Sequence, residues 1–255
     1  MGYNKIIVEE KGMTGRITLN RPDKRNSLDD EMIFEITDAI KNYSGNDGVK
    51  SIVITGAGGN FCSGLYLEYL NKIQAFDVLQ NKKDSTNYKD LLLSIYTCPK
   101  PTIAMVEGYA LAGGCGIASA CDLIVASDKA QFGYTEVRIG FIPAIVMIFL
   151  LKRVSETHAK DLLLTSKFIN GTEACNIGLV NYVLESFMLE SFTDKLCENL
   201  NQLPPSSVML TKEMFRNVYS MSFEAALQYA VDMNTLTRMT EDCKNGIKKF
   251  LTKKQ

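Results

Sequence analysis

Two glycine-rich turns in this sequence could stabilise a negative charge through backbone N–H groups. The first follows a predicted buried strand at residues 103–106 and passes through Gly113 and Gly114 into small residues that can open a helix. Glycine lets a ligand approach the backbone closely, and the N–H groups at a helix start are unpaired. Residues 52–65 repeat the arrangement and end with the N–H of Leu65. Both turns therefore predict a site for developing negative charge.

Six sequence motifs follow one another from Asn20 to Val183, and a C-terminal segment, GIKKFLTKK, extends the pattern from Gly246 to Lys254. In chain order they are NRPDKRNSL, ITGAGGNFCSG, PKPTIAMVEGYALAGGCG, CDLIVAS, AQFGYTEVRIGFIP and LLLTSKFINGTEACNIGLVNYV. On these motifs the chain resembles the crotonase superfamily, the enoyl-CoA hydratase/isomerase family. In the segment TEVRIGFIPAIV it looks most similar to bacterial methylglutaconyl-CoA hydratases.

The alternation of predicted strands with helices indicates an α/β fold. The resemblance implies more: a crotonase-like ββα spiral core over residues 1–200 and a C-terminal helical trimerisation region over 201–255. Long amphipathic helices are predicted at 207–219 and 223–239, after Pro204 and Pro205. We therefore expect a homotrimer or a hexamer.

Local patterns predict four further features. Residues 5–19 alternate as a hairpin, and a helix ends at Tyr43 with isoleucines along one face. Residues 80–89 form the polar centre of the stretch at 66–97 and predict an irregular, mobile segment. The apolar run at 139–151, which contains Pro143, predicts a buried helix.

The resemblance implies roles for three residues in an enolate reaction on a thioester. The N–H groups of Leu65 and Gly113 match the two donors that hold the thioester oxyanion. Glu136, in the AQFG-x-x-E motif, matches a glutamate that exchanges protons with the substrate. Gly116 stands where hydratases of the family carry their other glutamate.

The missing glutamate leaves three functions open. We favour reversible hydration of a branched, methylglutaconyl-like enoyl-CoA, because the relatives that this segment resembles also often carry glycine there. A Δ3,Δ2-enoyl-CoA isomerase with Glu136 as its only carboxylate is the first alternative. A non-catalytic member that binds acyl-CoA or RNA is the second. Fatty acid metabolism or leucine degradation is the implied setting.

Coenzyme A, as the thioester carrier, is the expected ligand. The resemblance places Lys24 and Arg25 beside its adenosine and phosphate groups, and Phe250 and Lys253 beside the nucleotide of an adjacent subunit. No metal, flavin or nicotinamide cofactor is implied.

Some side chains near the expected acyl pocket have no assigned role. A carboxylated acyl end would need a cation, for which Arg138, Lys72 and Lys82 are candidates. The strand-like alternation around Arg138 directs its side chain away from the neighbours of Glu136, so a structural role is expected for it. A second carboxylate, Glu68 or Asp77, could enter from the segment after Leu65.

Composition excludes other function classes. The net charge of −1 over 255 residues argues against a nucleic-acid partner. No apolar run reaches the roughly 18 residues of a membrane span, and the first 20 residues do not predict a signal peptide, so we expect a cytoplasmic protein. The seven cysteines form no CxxC pair, and His158 is the only histidine, so no metal site is predicted.

Overall fold

Two β-sheets form the framework that carries the predicted turns. The computed structural model describes residues 2–252, without the side chain of Leu67. The strands in this range are β1 (Ile6–Lys11), β2 (Thr14–Leu19), β3 (Ser51–Gly56), β4 (Thr102–Val106), β5 (Tyr109–Leu111), β6 (Leu123–Ser127), β7 (Gln131–Gly133), β8 (Phe168–Asn170) and β9 (Tyr182–Leu184).

Helices connect and cover these strands. The α-helices in the same range are α1 (Asp30–Gly45), α2 (Leu67–Ile73), α3 (Val78–Thr97), α4 (Gly113–Ala120), α5 (Ala144–Leu150), α6 (Glu156–Thr165), α7 (Gly171–Asn176), α8 (Leu189–Asn201), α9 (Pro205–Val218), α10 (Phe223–Met239) and α11 (Glu241–Thr252). Short 3-10 helices lie at Pro22–Lys24, Glu136–Ile139 and Ser186–Met188.

The larger sheet has the strand order β1-β2-β3-β4-β6-β9. Strands β1 and β2 form an antiparallel hairpin, as predicted, whereas the pairs from β2 to β9 are parallel. Parallel neighbours need crossover connections, which helices supply here. The predicted α/β class is confirmed.

The smaller sheet has the order β5-β7-β8, with β5 and β7 parallel and β7 and β8 antiparallel. Its first strand lies inside the stretch predicted as a continuous glycine-rich turn. A three-residue strand flanked by glycine is too short to produce a readable alternation. This small strand matters because α4 begins two residues after it.

Helix α1 covers the larger sheet as its pattern predicts. The Asp29 side chain accepts a hydrogen bond from the N–H of Met32 and so caps the helix start. Ile33, Ile36 and Ile40 are buried on one face. The predicted helix is confirmed, although it extends two residues beyond Tyr43.

The prediction of an irregular segment at residues 80–89 was wrong. These residues belong to α3, a helix of 20 residues that starts with a capping box between Asp77 and Gln80. Leu91, Leu92 and Ile95 bury one face of its second half. Its first half exposes polar side chains to solvent, and this hides the helical period in the sequence.

The prediction of one buried helix at 139–151 was also wrong. Ile139 and Ile142 are 60% and 78% exposed, and α5 starts only after Pro143. Within α5 the buried side chains are Val146, Phe149 and Leu150. Among residues 2–252, no helix combines the length and the apolar character needed to cross a lipid bilayer.

Helices α9, α10 and α11 form the C-terminal region, and the two predicted amphipathic helices are confirmed. Met233 is the only buried residue that the structure describes in these three helices. Helix α8 still contacts the larger sheet and ends at Asn201. The division of the chain at residue 200 stays a prediction.

Candidate active site

Two parallel strands of the smaller sheet bring α4 and Glu136 to one edge. Leu111 at the end of β5 pairs with Gly133 at the end of β7. Parallel strands finish at the same edge of a sheet, so the segments that follow them start side by side. Gly113 comes two residues after Leu111, and Glu136 comes three after Gly133.

The loop after β3 reaches the same edge. Cys62 forms a parallel bridge with Ala110 of β5, and its carbonyl accepts a hydrogen bond from the N–H of Leu111. Farther along the loop, the N–H of Leu28 donates to Gly64, and the N–H of Tyr66 donates to Leu28. Leu28 and Leu65 therefore form a parallel bridge, in which the N–H of Leu65 faces away from Leu28.

The two expected oxyanion donors lie close together. Among the described residues, no protein acceptor is bonded to the N–H of Leu65 or of Gly113. An ideal Cβ on Gly64, next to Leu65, would lie 3.7 Å from the Gly113 nitrogen. Ala112 precedes Gly113 with φ 46° and ψ −115°, a conformation that L residues rarely adopt. Such backbone strain is typical of functional sites.

Glu136 opens the 3-10 helix that follows β7 and Tyr134. Its carboxylate oxygen Oε2 is buried, and no hydrogen-bond donor among the described residues reaches it. Burial raises the pKa of Glu136 above the usual glutamate value. A half-buried carboxylate with one unpartnered oxygen and a raised pKa is suited to exchange protons with a substrate.

The place of the missing glutamate is filled by another side chain. An ideal Cβ on Gly116 would lie 2.2 Å from the hydroxyl of Tyr88 and 2.7 Å from Cγ1 of Val146. Tyr88 reaches this point from α3 and donates a hydrogen bond of 2.7 Å to the carbonyl oxygen of Gly113. No role for Tyr88 was predicted from the sequence, because its segment was predicted to be irregular.

We expect Gly116→Ala to lower the free energy of unfolding by about 1 to 3 kcal/mol, since the added methyl group overpacks a filled space. Alanine normally stabilises a helix interior relative to glycine, so the sign is diagnostic. Gly246→Ala in α11 is the matched control, because nothing lies within 4 Å of its ideal Cβ. Urea unfolding of both variants checks this, and equal stabilisation by both would contradict the packing at Gly116.

The loop with Lys24 and Arg25 lies against the Leu65 loop. The carbonyl of Arg25 accepts a hydrogen bond from the N–H of Ser63. Nζ of Lys24 lies 5.5 Å from the centre of the Tyr66 ring, and the Arg25 guanidinium lies 5.4 Å from that of Tyr109. Both exposed cations therefore lie beside the loop of Leu65, and their assignment to coenzyme A stays a prediction.

Buried Asn26 holds this loop in place, a role that the sequence did not reveal. Its Oδ1 accepts from the N–H of Arg21, and its Nδ2 donates to the carbonyls of Ala57 and Asn60. These bonds join the loop of Lys24 to the glycine-rich loop after β3. Its place inside the motif NRPDKRNSL was the available signal.

The structure does not test the two C-terminal ligand candidates. Phe250 lies on α11 and is 61% exposed. Lys253 lies outside the described residues. Their assignment to coenzyme A stays a prediction that needs an adjacent subunit.

The structure gives other partners to some of the side chains left open by the sequence. Arg138 donates from Nε to Oγ of Ser166 at 2.9 Å and lies over the Phe168 ring, so it is structural. Lys72 forms a 2.9 Å ion pair with Asp30. Asp77 caps α3, Lys82 and Glu68 are exposed, and His158 is exposed on α6.

The fold places the chain in a known structural class. A solved structure from Legionella pneumophila, named "putative enoyl CoA hydratase/isomerase (crotonase)", superposes with a TM-score of 0.92 at 29% identity, covering 99% of this chain and 98% of that one. An enoyl-CoA hydratase structure from Bacillus anthracis has a TM-score of 0.91 at 26% identity over 98% and 97% of the two chains. The protein has the crotonase fold.

Sequence comparison identifies the family. The profile described as Enoyl-CoA hydratase/isomerase matches residues 9–255, and the chain belongs to this family. A Thermus thermophilus relative named "Putative enoyl-CoA hydratase" is 38% identical over 249 residues, which cover 98% of each chain. A crotonyl-CoA hydratase from Syntrophomonas wolfei is 30% identical over 257 aligned positions, covering 100% of this chain and 98% of the relative.

Proposed function

We propose that this protein catalyses the reversible addition of water to a 2-enoyl-CoA thioester. The observation that carries the proposal is the buried carboxylate oxygen of Glu136 beside the N–H groups of Leu65 and Gly113, none of which has a hydrogen-bond partner within residues 2–252. The names of the Thermus and Syntrophomonas relatives support a hydratase.

In the proposed mechanism, the two N–H groups bind the thioester oxygen. Glu136 takes a proton from water while the water oxygen bonds to C3, and the C2–C3 π electrons move onto the thioester as an enolate. The enolate charge lies on the bound oxygen, where preorganised donors stabilise it. Glu136 then delivers its proton to C2, the carbonyl re-forms, and the carboxylate is restored.

We propose coenzyme A as the carrier, bound by Lys24 and Arg25 at the mouth of the site. Their exposed cationic groups match the phosphates of the nucleotide. Phe250 and Lys253 are proposed to complete this contact from an adjacent subunit of a trimer or hexamer. Large exposed apolar side chains on the C-terminal helices support such an assembly, among them Phe215, Tyr219, Phe223, Leu236 and Met239.

We propose a short acyl chain, branched or unbranched. The crotonyl-CoA hydratase relative supports a short chain, and the segment after Glu136 supports a branched, methylglutaconyl-like one. Arg138 and Lys72 are engaged by Ser166 and Asp30, which gives a carboxylated acyl end little support from these cations.

Isomerisation of a 3-enoyl-CoA is the second candidate, because Gly116 leaves Glu136 as the one glutamate of the motif pair. A single carboxylate can move a proton from C2 to C4 through a dienolate, whose charge lies on the same thioester oxygen. Both reactions therefore use the same oxyanion donors, and only the fate of water separates them.

The purified protein should be assayed with crotonyl-CoA, 3-methylglutaconyl-CoA and a 3-enoyl-CoA, with the products followed by mass and double-bond position. Hydration predicts that a 2-enoyl substrate gains the mass of one water molecule. A shifted double bond without that gain would make the protein an isomerase. Binding without turnover would make it a non-catalytic acyl-CoA-binding member.

The pH dependence should report the raised pKa of Glu136. Hydration and the reverse dehydration both begin with the carboxylate, so kcat/KM falls as the pH drops through this pKa. We expect the acid limb to lie above the ordinary glutamate value of about 4.3. A kcat/KM profile for crotonyl-CoA measures it, and a limb at or below the ordinary value would show that Glu136 is not desolvated in the free enzyme.

A further inference from the structure

The hydroxyl of Tyr88 lies in the part of the site where a side chain at position 116 would begin. Its oxygen would be 2.2 Å from a Cβ on Gly116 and 3.3 Å from a Cβ on Gly113. It is thus a polar atom at the start of α4, beside the proposed oxyanion donor. Glycine at position 116 is what makes room for it.

The proton of the Tyr88 hydroxyl already takes part in a hydrogen bond. Tyr88 donates to the carbonyl of Gly113 at 2.7 Å, which leaves the lone pairs of its oxygen available to accept. Burial raises the pKa of Tyr88 well above its ordinary value, and the nearby groups Cys62 and Glu136 raise it further. The phenol therefore stays neutral and serves as an acceptor, not as a base.

A water molecule that attacks carbon needs acceptors for both of its protons, because only then does a lone pair face the electrophile. Glu136 provides one acceptor. We propose that the Tyr88 hydroxyl oxygen is the second, and that Tyr88 is a catalytic residue which orients the attacking water. This inference rests on the proposed hydratase function.

The proton balance of the reaction is unchanged by this role. The water proton that faces Glu136 moves to the carboxylate and then to C2. The proton that faces Tyr88 stays on oxygen and becomes the hydroxyl hydrogen of the 3-hydroxyacyl product. Tyr88 thus replaces the missing glutamate in orienting water, while Glu136 alone carries the transferred proton.

A purely structural role for Tyr88 makes a different prediction. The bond to Gly113 also supports the first turn of α4, so its loss could displace the Gly113 N–H. That effect would weaken every reaction that uses the oxyanion donors. Loss of water orientation would weaken hydration alone.

Tyr88→Phe separates the two roles with two measurements. One is hydration of crotonyl-CoA, and the other is exchange of the C2 protons of butyryl-CoA with D₂O, which needs Glu136 and the oxyanion donors but no attacking water. We expect kcat/KM for hydration to fall about 10²-fold, the scale of a lost positioning contact, with proton exchange little changed. Tyr43→Phe is the matched control, because Tyr43 also donates from a buried ring to a backbone carbonyl, that of Glu9, at 2.6 Å.

The outcomes are distinct. Equal loss of hydration and exchange in Tyr88→Phe would assign Tyr88 to the support of α4 and overturn the inference, as would full hydration activity in this variant. A wild-type protein that exchanges protons but does not hydrate crotonyl-CoA or 3-methylglutaconyl-CoA would overturn the proposed function itself. Selective loss of hydration, with Tyr43→Phe active, would support both.

Discussion

Glu136→Gln should lower kcat/KM for hydration by about 10²- to 10⁴-fold, because the amide can neither accept the water proton nor deliver it to C2. The upper end is expected, since both proton steps depend on this one carboxylate. Steady-state kinetics with crotonyl-CoA measures the loss. Glu68→Gln is the control, because Glu68 is an exposed carboxylate on α2 and should be dispensable.

The same substitution should stabilise the fold near neutral pH. The pKa of Glu136 is raised in the folded protein by burial, so the folded state favours the protonated form. Its stabilising contribution is present below the unfolded pKa and is lost as the pH rises through the folded pKa. Thermal unfolding at neutral pH should therefore show a higher Tm for Glu136→Gln than for wild type. An inactive variant with a lower Tm would indicate structural damage instead.

Leu65→Pro should lower kcat by about 10²- to 10³-fold, because proline removes one of the two proposed oxyanion donors. The N–H of Leu65 has no protein acceptor among the described residues, so its removal breaks no backbone hydrogen bond of the fold. Single-turnover hydration of crotonyl-CoA measures the chemical step.

Leu65→Ala is the matched control for this prediction. It keeps the N–H and removes only a partly buried side chain, so its kcat should stay close to that of wild type. Circular dichroism verifies that both variants fold. A folded proline variant with wild-type kcat would exclude the Leu65 N–H from catalysis.

The candidate site residues could be proposed because they lie in local sequence motifs. The resemblance of these motifs to the family assigns the oxyanion donor to Gly113 and the proton transfer to Glu136. The hairpin of β1 and β2 and the buried face of α1 follow from periodicity. What the sequence could not give is the pairing of β5 with β7, which brings Gly113 and Glu136 to one edge.

Tyr88 shows why the remaining part could not be predicted. It acts across 25 residues of sequence on Gly113, from a helix whose polar face hides its period. The Tyr88 hydroxyl occupies the space that a side chain at position 116 would take. The sequence shows this space only as a missing glutamate. The relation between Tyr88 and Gly116 becomes visible only in the structure, where the two residues are in contact.

Glu136 is proposed to carry out both proton transfers, from water and to C2, on one face of the substrate. Hydration of crotonyl-CoA in D₂O tests it, with NMR used to assign the relative configuration of deuterium at C2 and hydroxyl at C3. Addition of both groups to the same face of the double bond is the predicted result, because one carboxylate contacts both water and C2. Addition to opposite faces would require a second proton donor and would contradict the account.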